Sequence, residues 1–360
     1  MLDPFIPHVF AYRDFYQSHP LAFLMGLFSF VLALGSVFLF GLSLFFHRMQ
    51  RRQAQARLAL ETRLSPLIVA CLFQHQAPER VWESVPRGQE KAFVEMLYRY
   101  QQRLKGSVNQ KLQTLAEPYL VLLARQLGHS QPEMRAQALK ILATFQEQSY
   151  LSALARALLD PSPLVVTIAF QALTQSHIVG YHREILAALP RVENLSLNYL
   201  ASLLVRKGTI LSPGLRLLFA DPAAPIHLRG VAAKTLLLLN DLAAVDVALA
   251  IIQSEAAADI CVPALKLLEK LSPRDLSSQI LPLWHSRDFA VRAYALRALA
   301  RLGRQTQLPL LLTGLNDSSP WVVRQAAQAL NELRQKSLWP AELEADFALT
   351  EQLNAILGQA

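Results

Sequence analysis

The stretch Phe289-Ala-Val-Arg-Ala-Tyr-Ala-Leu-Arg-Ala-Leu-Ala-Arg-Leu-Gly303 decides the fold. Within it Val291, Ala295, Leu299 and Leu302 recur at the spacing of one helical face. Its small central residue belongs to a series: Ala138, Ala169, Ala201, Ala232, Ala264, Ala295 and Ala326 stand 31, 32, 31, 32, 31 and 31 residues apart. A fixed period in this range marks a repeat array, whose units bury their apolar faces only by stacking on neighbours. Such arrays present long surfaces.

The period is carried by more than alanine. Four residues before each alanine stands Met134, Val165, Leu197, Leu228, Ile260, Val291 or Val322, and four after it Leu142, Leu173, Val205, Leu236, Leu268, Leu299 or Leu330. A small residue at the centre of such a face lets a neighbouring helix approach closely. Pro132, Pro163, Pro225 and Pro320 fall in the first turn of these helices, where a missing N–H is harmless. Ser162 and Ser319 are N-cap candidates. Upstream of each helix lies a second apolar segment, as at 151–159, 247–252 and 308–315, and Asp160-Pro161, Asp221-Pro222 and Asn316-Asp317 supply the intervening turns. Each unit is therefore helix, turn, helix, and the expected class is an all-α solenoid of about seven helix pairs. A coiled coil is excluded because the apolar pattern stops repeatedly at Pro, Asp or Gly.

Two stretches now resemble HEAT repeats: Asp160-Pro-Ser-Pro-Leu-Val-Val166 leading to Ala169, and the 289–303 segment, which is close to that family's consensus. The resemblance covers roughly 117–335 and implies a right-handed solenoid, with the alanine helices lining its concave side. It says little of function, since one fold hosts many tasks. The Ala201 unit, with Asn194 and Asn198 in place of the usual turn, and the Ala264 unit, with Cys261 and Pro263, depart from the pattern and are expected to be irregular.

Residues 21–46 contain no Asp, Glu, Lys or Arg. As a helix this run spans roughly 39 Å, enough to cross a ~30 Å hydrocarbon core with some tilt. A signal peptide fits poorly, because the run is too long and its leading segment is not basic. Arg13 stands before it, and Arg48, Arg51, Arg52, Arg57 and Arg63 follow. The positive-inside rule then puts the C-terminal side in the cytoplasm, and the inner (cytoplasmic) membrane is the expected location, with a single pass and the N-terminus outside. The expected organisation is 1–20 as a short extracytoplasmic segment, 21–46 as a transmembrane helix and 47–116 as a basic juxtamembrane helix and cap. Repeats would fill 117–336, and 337–360 would be a C-terminal capping helix.

Charge supports this division. The chain carries a net +8, but residues 47–112 hold 12 Lys or Arg against 5 Asp or Glu, while 113–360 hold 22 against 20. Most of the excess thus lies beside the membrane, where Arg48, Arg51, Arg52 and Arg57 set topology and invite anionic lipid. Nucleic acid is a poor match for that distribution. Cys71 and Cys261 show no metal or redox spacing and read as small core residues.

The sequence offers no HExxH, CxxC or P-loop motif, so neither catalytic nor metal-binding residues nor a cofactor is expected. His177 and His182 are poorly spaced for sharing a metal on one helix, and Asp160, Asp221 and Asp317 read as turn caps. One arrangement stands out. Two residues after the alanines come Lys140, Gln171, Leu203, Lys234, Lys266, Arg297 and Gln328, and six after come Thr144, Gln175, Lys207, Leu238, Lys270, Arg301 and Glu332. These columns point away from the packed face and form a basic stripe. Lys140, Lys207, Lys234, Lys266, Lys270, Arg297 and Arg301 are the candidate contacts for an acidic protein partner, set against the plain alternative of a solvated face.

The functional expectation is a membrane-tethered, non-enzymatic scaffold that binds a protein partner or a membrane-complex subunit. The chain resembles bacterial single-pass membrane-anchored HEAT repeat proteins, some of which resemble accessory subunits of envelope or polysaccharide machinery. The alternative is a HEAT-like enzyme, of lyase or nucleic-acid glycosylase type, or a nucleic-acid-binding module.

Overall fold

The computed structural model describes residues 20–358 apart from 75, 105, 107, 146–147, 176–179, 255–256, 273–274, 303–307, 336–342 and 344–346. The expected outer segment 1–20, with Arg13, therefore lies almost wholly outside the described residues. Those described are helical, with turns between and no strand. The chain divides into two compact units, residues 1–119 and 120–360.

In the first unit, α1 (Pro20–Phe73) is one helix of 54 residues. Between Leu24 and Phe46 its large apolar side chains are exposed, and the helix is long and apolar enough to cross a membrane. It continues without a break through Arg48, Arg51, Arg52 and Arg57. Further on, Leu60, Leu64, Ile68, Cys71 and Leu72 are buried along one face, against α2 (Glu79–Ser84) and α3 (Glu90–Arg103). The polarity of α1 thus changes along its axis rather than around it. Lys111, on α4 (Val108–Gln126), donates to the Leu72 carbonyl at 2.6 Å, serving one of the orphan acceptors at the end of α1. Trp82 Nε1 donates to the Leu115 carbonyl at 3.1 Å, and the Phe93 and Tyr119 rings meet edge to face at 5.4 Å.

The second unit begins with the last residues of α4. It continues with α5 (Pro132–Phe145), α6 (Gln148–Ala157), α7 (Pro163–Gln175) and α8 (His182–Ala188), the last extended by a 3-10 turn, Leu189–Val192. Then come α9 (Leu197–Val205), α10 (Ser212–Ala220), α11 (Ile226–Leu238), α12 (Ala244–Ser254) and α13 (Ala258–Leu271). The short α14 (Ser277–Ile280) runs into a 3-10 turn, Leu281–His285, and is followed by α15 (Phe289–Leu302), α16 (Leu308–Gly314), α17 (Pro320–Gln335) and α18 (Phe347–Leu357).

Every alanine of the column sits on one of the odd-numbered helices α5 to α17, and each is fully buried. These seven helices pack each on the next, from α5 to α17. The preceding helices α8, α10, α12 and α14 stack likewise, forming a second layer. A continuous apolar core runs from Ala136 to Leu299, and a further cluster joins α15, α16, α17 and α18. At Gly314 on α16 a Cβ atom would stand 2.9 Å from the Cβ of Ala326 and 2.8 Å from Leu296 Cδ1, so this pair of helices touches through its smallest residues.

The two units expected to be irregular behave differently. In the Ala201 unit, α9 is only nine residues long, and it buries Leu200, Leu203 and Leu204 while Leu197 and Val205 stay half-buried. Its buried face is rotated because an apolar Leu203 occupies a position that holds Lys, Arg or Gln in the other units. The Ala264 unit is regular. Helix α13 runs 14 residues through Pro263, whose missing N–H falls opposite the exposed first turn at Asp259.

Candidate partner-binding face

Aspartates build several of the turns between paired helices, while Ser196 caps α9. Asp160 Oδ1 accepts from the Ser162 N–H at 2.8 Å, Asp221 Oδ1 from Ala223 at 2.9 Å and Asp317 Oδ1 from Ser319 at 2.8 Å. These are Asx turns, which fold the chain locally and need no ligand. Two of the aspartates also receive an arginine from the preceding unit. Arg135 Nε and Nη2 donate to Asp160 at 2.9 and 2.7 Å, while Arg292 Nε and Nη2 donate to Asp317 at 2.9 Å each. Each arginine also donates to two carbonyls of its own turn, His129 and Ser130 for Arg135, Ser286 and Arg287 for Arg292. The guanidinium thus fastens one turn to the next. Hydrogen bonds from these arginines hold both carboxyls below the ordinary carboxylate range. Each arginine stands 25 residues before its aspartate, a spacing that becomes a contact only once one unit stacks on the next.

The basic stripe lies on the alanine helices, apart from Lys207, which stands in the turn after α9. Lys140, Lys270 and Arg301 are exposed; Lys207, Lys234, Lys266 and Arg297 are half-buried. The column two residues after the alanines is therefore not turned fully to solvent. Neighbouring helices approach closely enough that its side chains lie along the grooves between them, and Leu203 is buried outright. Several stripe residues are engaged within the fold. Lys207 Nζ donates to the Leu173 carbonyl at 3.1 Å, and burial pushes its ammonium pKa down. Arg297 Nε lies 2.9 Å from Glu269, and Arg301 lies 3.8 Å from the same carboxylate, which is buried. Lys266 Nζ stands 4.4 Å from the centre of the Tyr294 ring, a cation–π contact across adjacent helices. Among the described residues, Lys234 and Lys270 have no ion-pair partner.

Two grooves open on this face. One, of about 170 Å³, is lined by Leu197, Asn198, Gly230, Ala233, Leu237 and Pro263 together with Lys234 and Lys266. The other, of about 370 Å³, lies among α15, α17 and α18 and is polar, with Arg297, Arg324, Gln328 and Glu332. Among the described residues no group of three or more His, Cys, Asp or Glu is arranged to hold a metal ion. His177 lies outside those residues. Cys71 and Cys261 are both buried free thiols, and desolvation raises the pKa of Cys71, which makes it a poor nucleophile. In the first unit, Arg48, Arg51 and Arg52 are exposed along α1, whereas Arg57 pairs with Glu95 at 3.5 Å.

Helix pairs stacked in two layers, each fixed to the next by a buried alanine, define an α-solenoid of repeats. Residues 245–331, from α12 into α17, match the family model described as HEAT repeats, so this part of the array is built of HEAT repeats. No curated protein matches the chain. Among solved structures, a chain described as the complex of CpcE and CpcF of phycocyanin lyase from Nostoc sp. PCC7120 is similar, at 16% identity over 66% of this chain and 94% of that chain. The TM-score is 0.28.

Proposed function

We propose that the protein is a membrane-tethered, non-enzymatic scaffold. In this reading α1 crosses the inner membrane once with its N-terminus outside, and a right-handed HEAT solenoid in the cytoplasm docks a protein partner with an acidic surface, such as a subunit of envelope or polysaccharide machinery. The observation that carries it is the face of α11 and α13, where Lys234 and Lys266, with no ion-pair partner among the described residues, line a mostly apolar groove. Charge of this kind steers association and sets register more than it adds raw affinity. The exposed apolar first half of α1 supports the tether, because so much unburied hydrocarbon is stable only in lipid or against another apolar surface. Arg48, Arg51 and Arg52 then lie where anionic headgroups attract them.

The test is affinity purification of the tagged full-length protein from native membranes. A specific protein partner, co-purifying at native expression and lost when Lys234, Lys266 and Lys270 are changed to Glu, is expected. Recovery of no specific partner counts against the scaffold. Tight, salt-sensitive binding of duplex DNA would favour the nucleic-acid alternative instead.

A further inference from the structure

The stripe contains an internal comparison. Glu269 stands five residues after Ala264, and its buried carboxylate lies between Arg297 and Arg301 of the following helix. One unit earlier the corresponding cations are Lys266 and Lys270, and the residue in the position of Glu269, five after Ala232, is Leu237. In the α13–α15 step the fold therefore supplies its own counter-charge, whereas in the α11–α13 step it places a leucine there. Lys234 joins the same region from α11, and by register the exposed Arg206 at the end of α9 extends it. Lys266 is not left to wander, since the Tyr294 ring holds its ammonium group.

The floor beneath these cations is apolar. Leu197, Gly230, Ala233, Leu237 and Pro263 line it beside the single amide of Asn198, and the absence of a side chain at Gly230 keeps it open, because a Cβ there would meet Leu197 Cδ1 at 3.0 Å. A volume of about 170 Å³ suits a single large apolar side chain.

We infer that the groove across α9, α11 and α13 takes an acidic segment of a partner protein, with an apolar side chain on Leu237 and an adjacent carboxylate between Lys234 and Lys266, which line the groove, and Lys270 one turn further along α13. The partner's carboxylate would do in trans what Glu269 does within the chain. This deepens the scaffold reading and rests on it for the existence of a partner. Charge complementarity names the occupant: cations without a counter-charge select a carboxylate, and the apolar floor selects a side chain beside it. A free headgroup or phosphate would leave that floor unfilled.

The experiment uses full-length protein in detergent and a fluorescein-labelled peptide alternating glutamate pairs with leucine, read by anisotropy. Wild type should bind it. Substituting Gln for Glu in the peptide, or Leu237→Glu or K234A/K270A in the protein, should weaken binding on the order of tenfold. Glu269→Gln, which frees the neighbouring arginines, should not. Thermal unfolding checks that each variant is folded. Equal affinity for wild type and Leu237→Glu overturns the inference. So does binding of phosphatidylglycerol vesicles or duplex DNA that is lost in K234A/K270A when the peptide is not bound. Recovery of a native partner equally by wild type and Leu237→Glu overturns the groove and leaves the scaffold standing. Peptide binding that follows the expected pattern, with no partner recovered from membranes, overturns the scaffold and leaves the groove standing.

Discussion

Single residues hold this array together in two ways. The column alanines are fully buried where successive helices pack, and the arginines three residues before Ala138 and Ala295 fasten successive turns. Arg292→Ala removes a bidentate ion pair and two bonds to its own turn, all of them partly solvent-facing. It should lower the unfolding free energy by about 1–2 kcal/mol, as measured by denaturant titration of the full-length protein. The clamp also sets an acid dependence. Asp160 and Asp317 have folded-state pKa values below their ordinary 3.8, so their contribution is fully present above 3.8 and is lost as pH falls through the lower folded value. The variant D160N/D317N should be less stable than wild type at neutral pH, and the gap should close on acidification; a gap that widens in acid would contradict the clamp. Asp160, Asp221 and Asp317 were legible in the sequence as turn-builders because an Asx turn is local. Their arginine partners were not, since that pairing exists only once one unit stacks on the next.

At the scale of helices, what matters is how near two of them come. Helix α16 meets α17 through Gly314 and Ala326, where an added methyl would stand 2.9 Å from its neighbour. Gly314→Ala improves helix propensity, but the clash dominates, and a net loss of about 1–3 kcal/mol is expected from overpacking, read by thermal unfolding. A gain in stability would show that the helices slide apart freely. The same close approach explains the stripe. Helical angles alone put the column of Lys140, Lys234, Lys266 and Arg297 away from the packed face, but adjacent helices tuck most of it into half-buried grooves. The neutralisation of Arg297 and Arg301 by Glu269, and its absence beside Leu237, is likewise a property of neighbouring helices.

For the molecule as a whole, one helix of 54 residues joins an exposed apolar half to a half that packs within the first unit. If α1 spans the membrane as proposed, Arg48, Arg51 and Arg52 hold its orientation, because Arg57 is engaged with Glu95. Changing the three free arginines to Gln should turn a single topology into a mixture, detected as partial protection of a C-terminal tag from protease added to the cytoplasmic face of inverted vesicles. Unchanged full digestion would show that these arginines do not set topology. Carbonate extraction offers a simpler check on the tether itself, since full-length protein should stay in the membrane pellet.

The sequence by itself determined the repeat, its register and the helix–turn–helix unit, because a period of 31 or 32 residues, local turn chemistry and one-face apolar spacing are all written along the chain. It also marked residues 21–46 as too apolar for water. Only the tertiary structure decided which charges remain available. Whether a cation is neutralised depends on what the adjacent helix places beside it, and Glu269 and Leu237 differ in that respect although both occupy the same register.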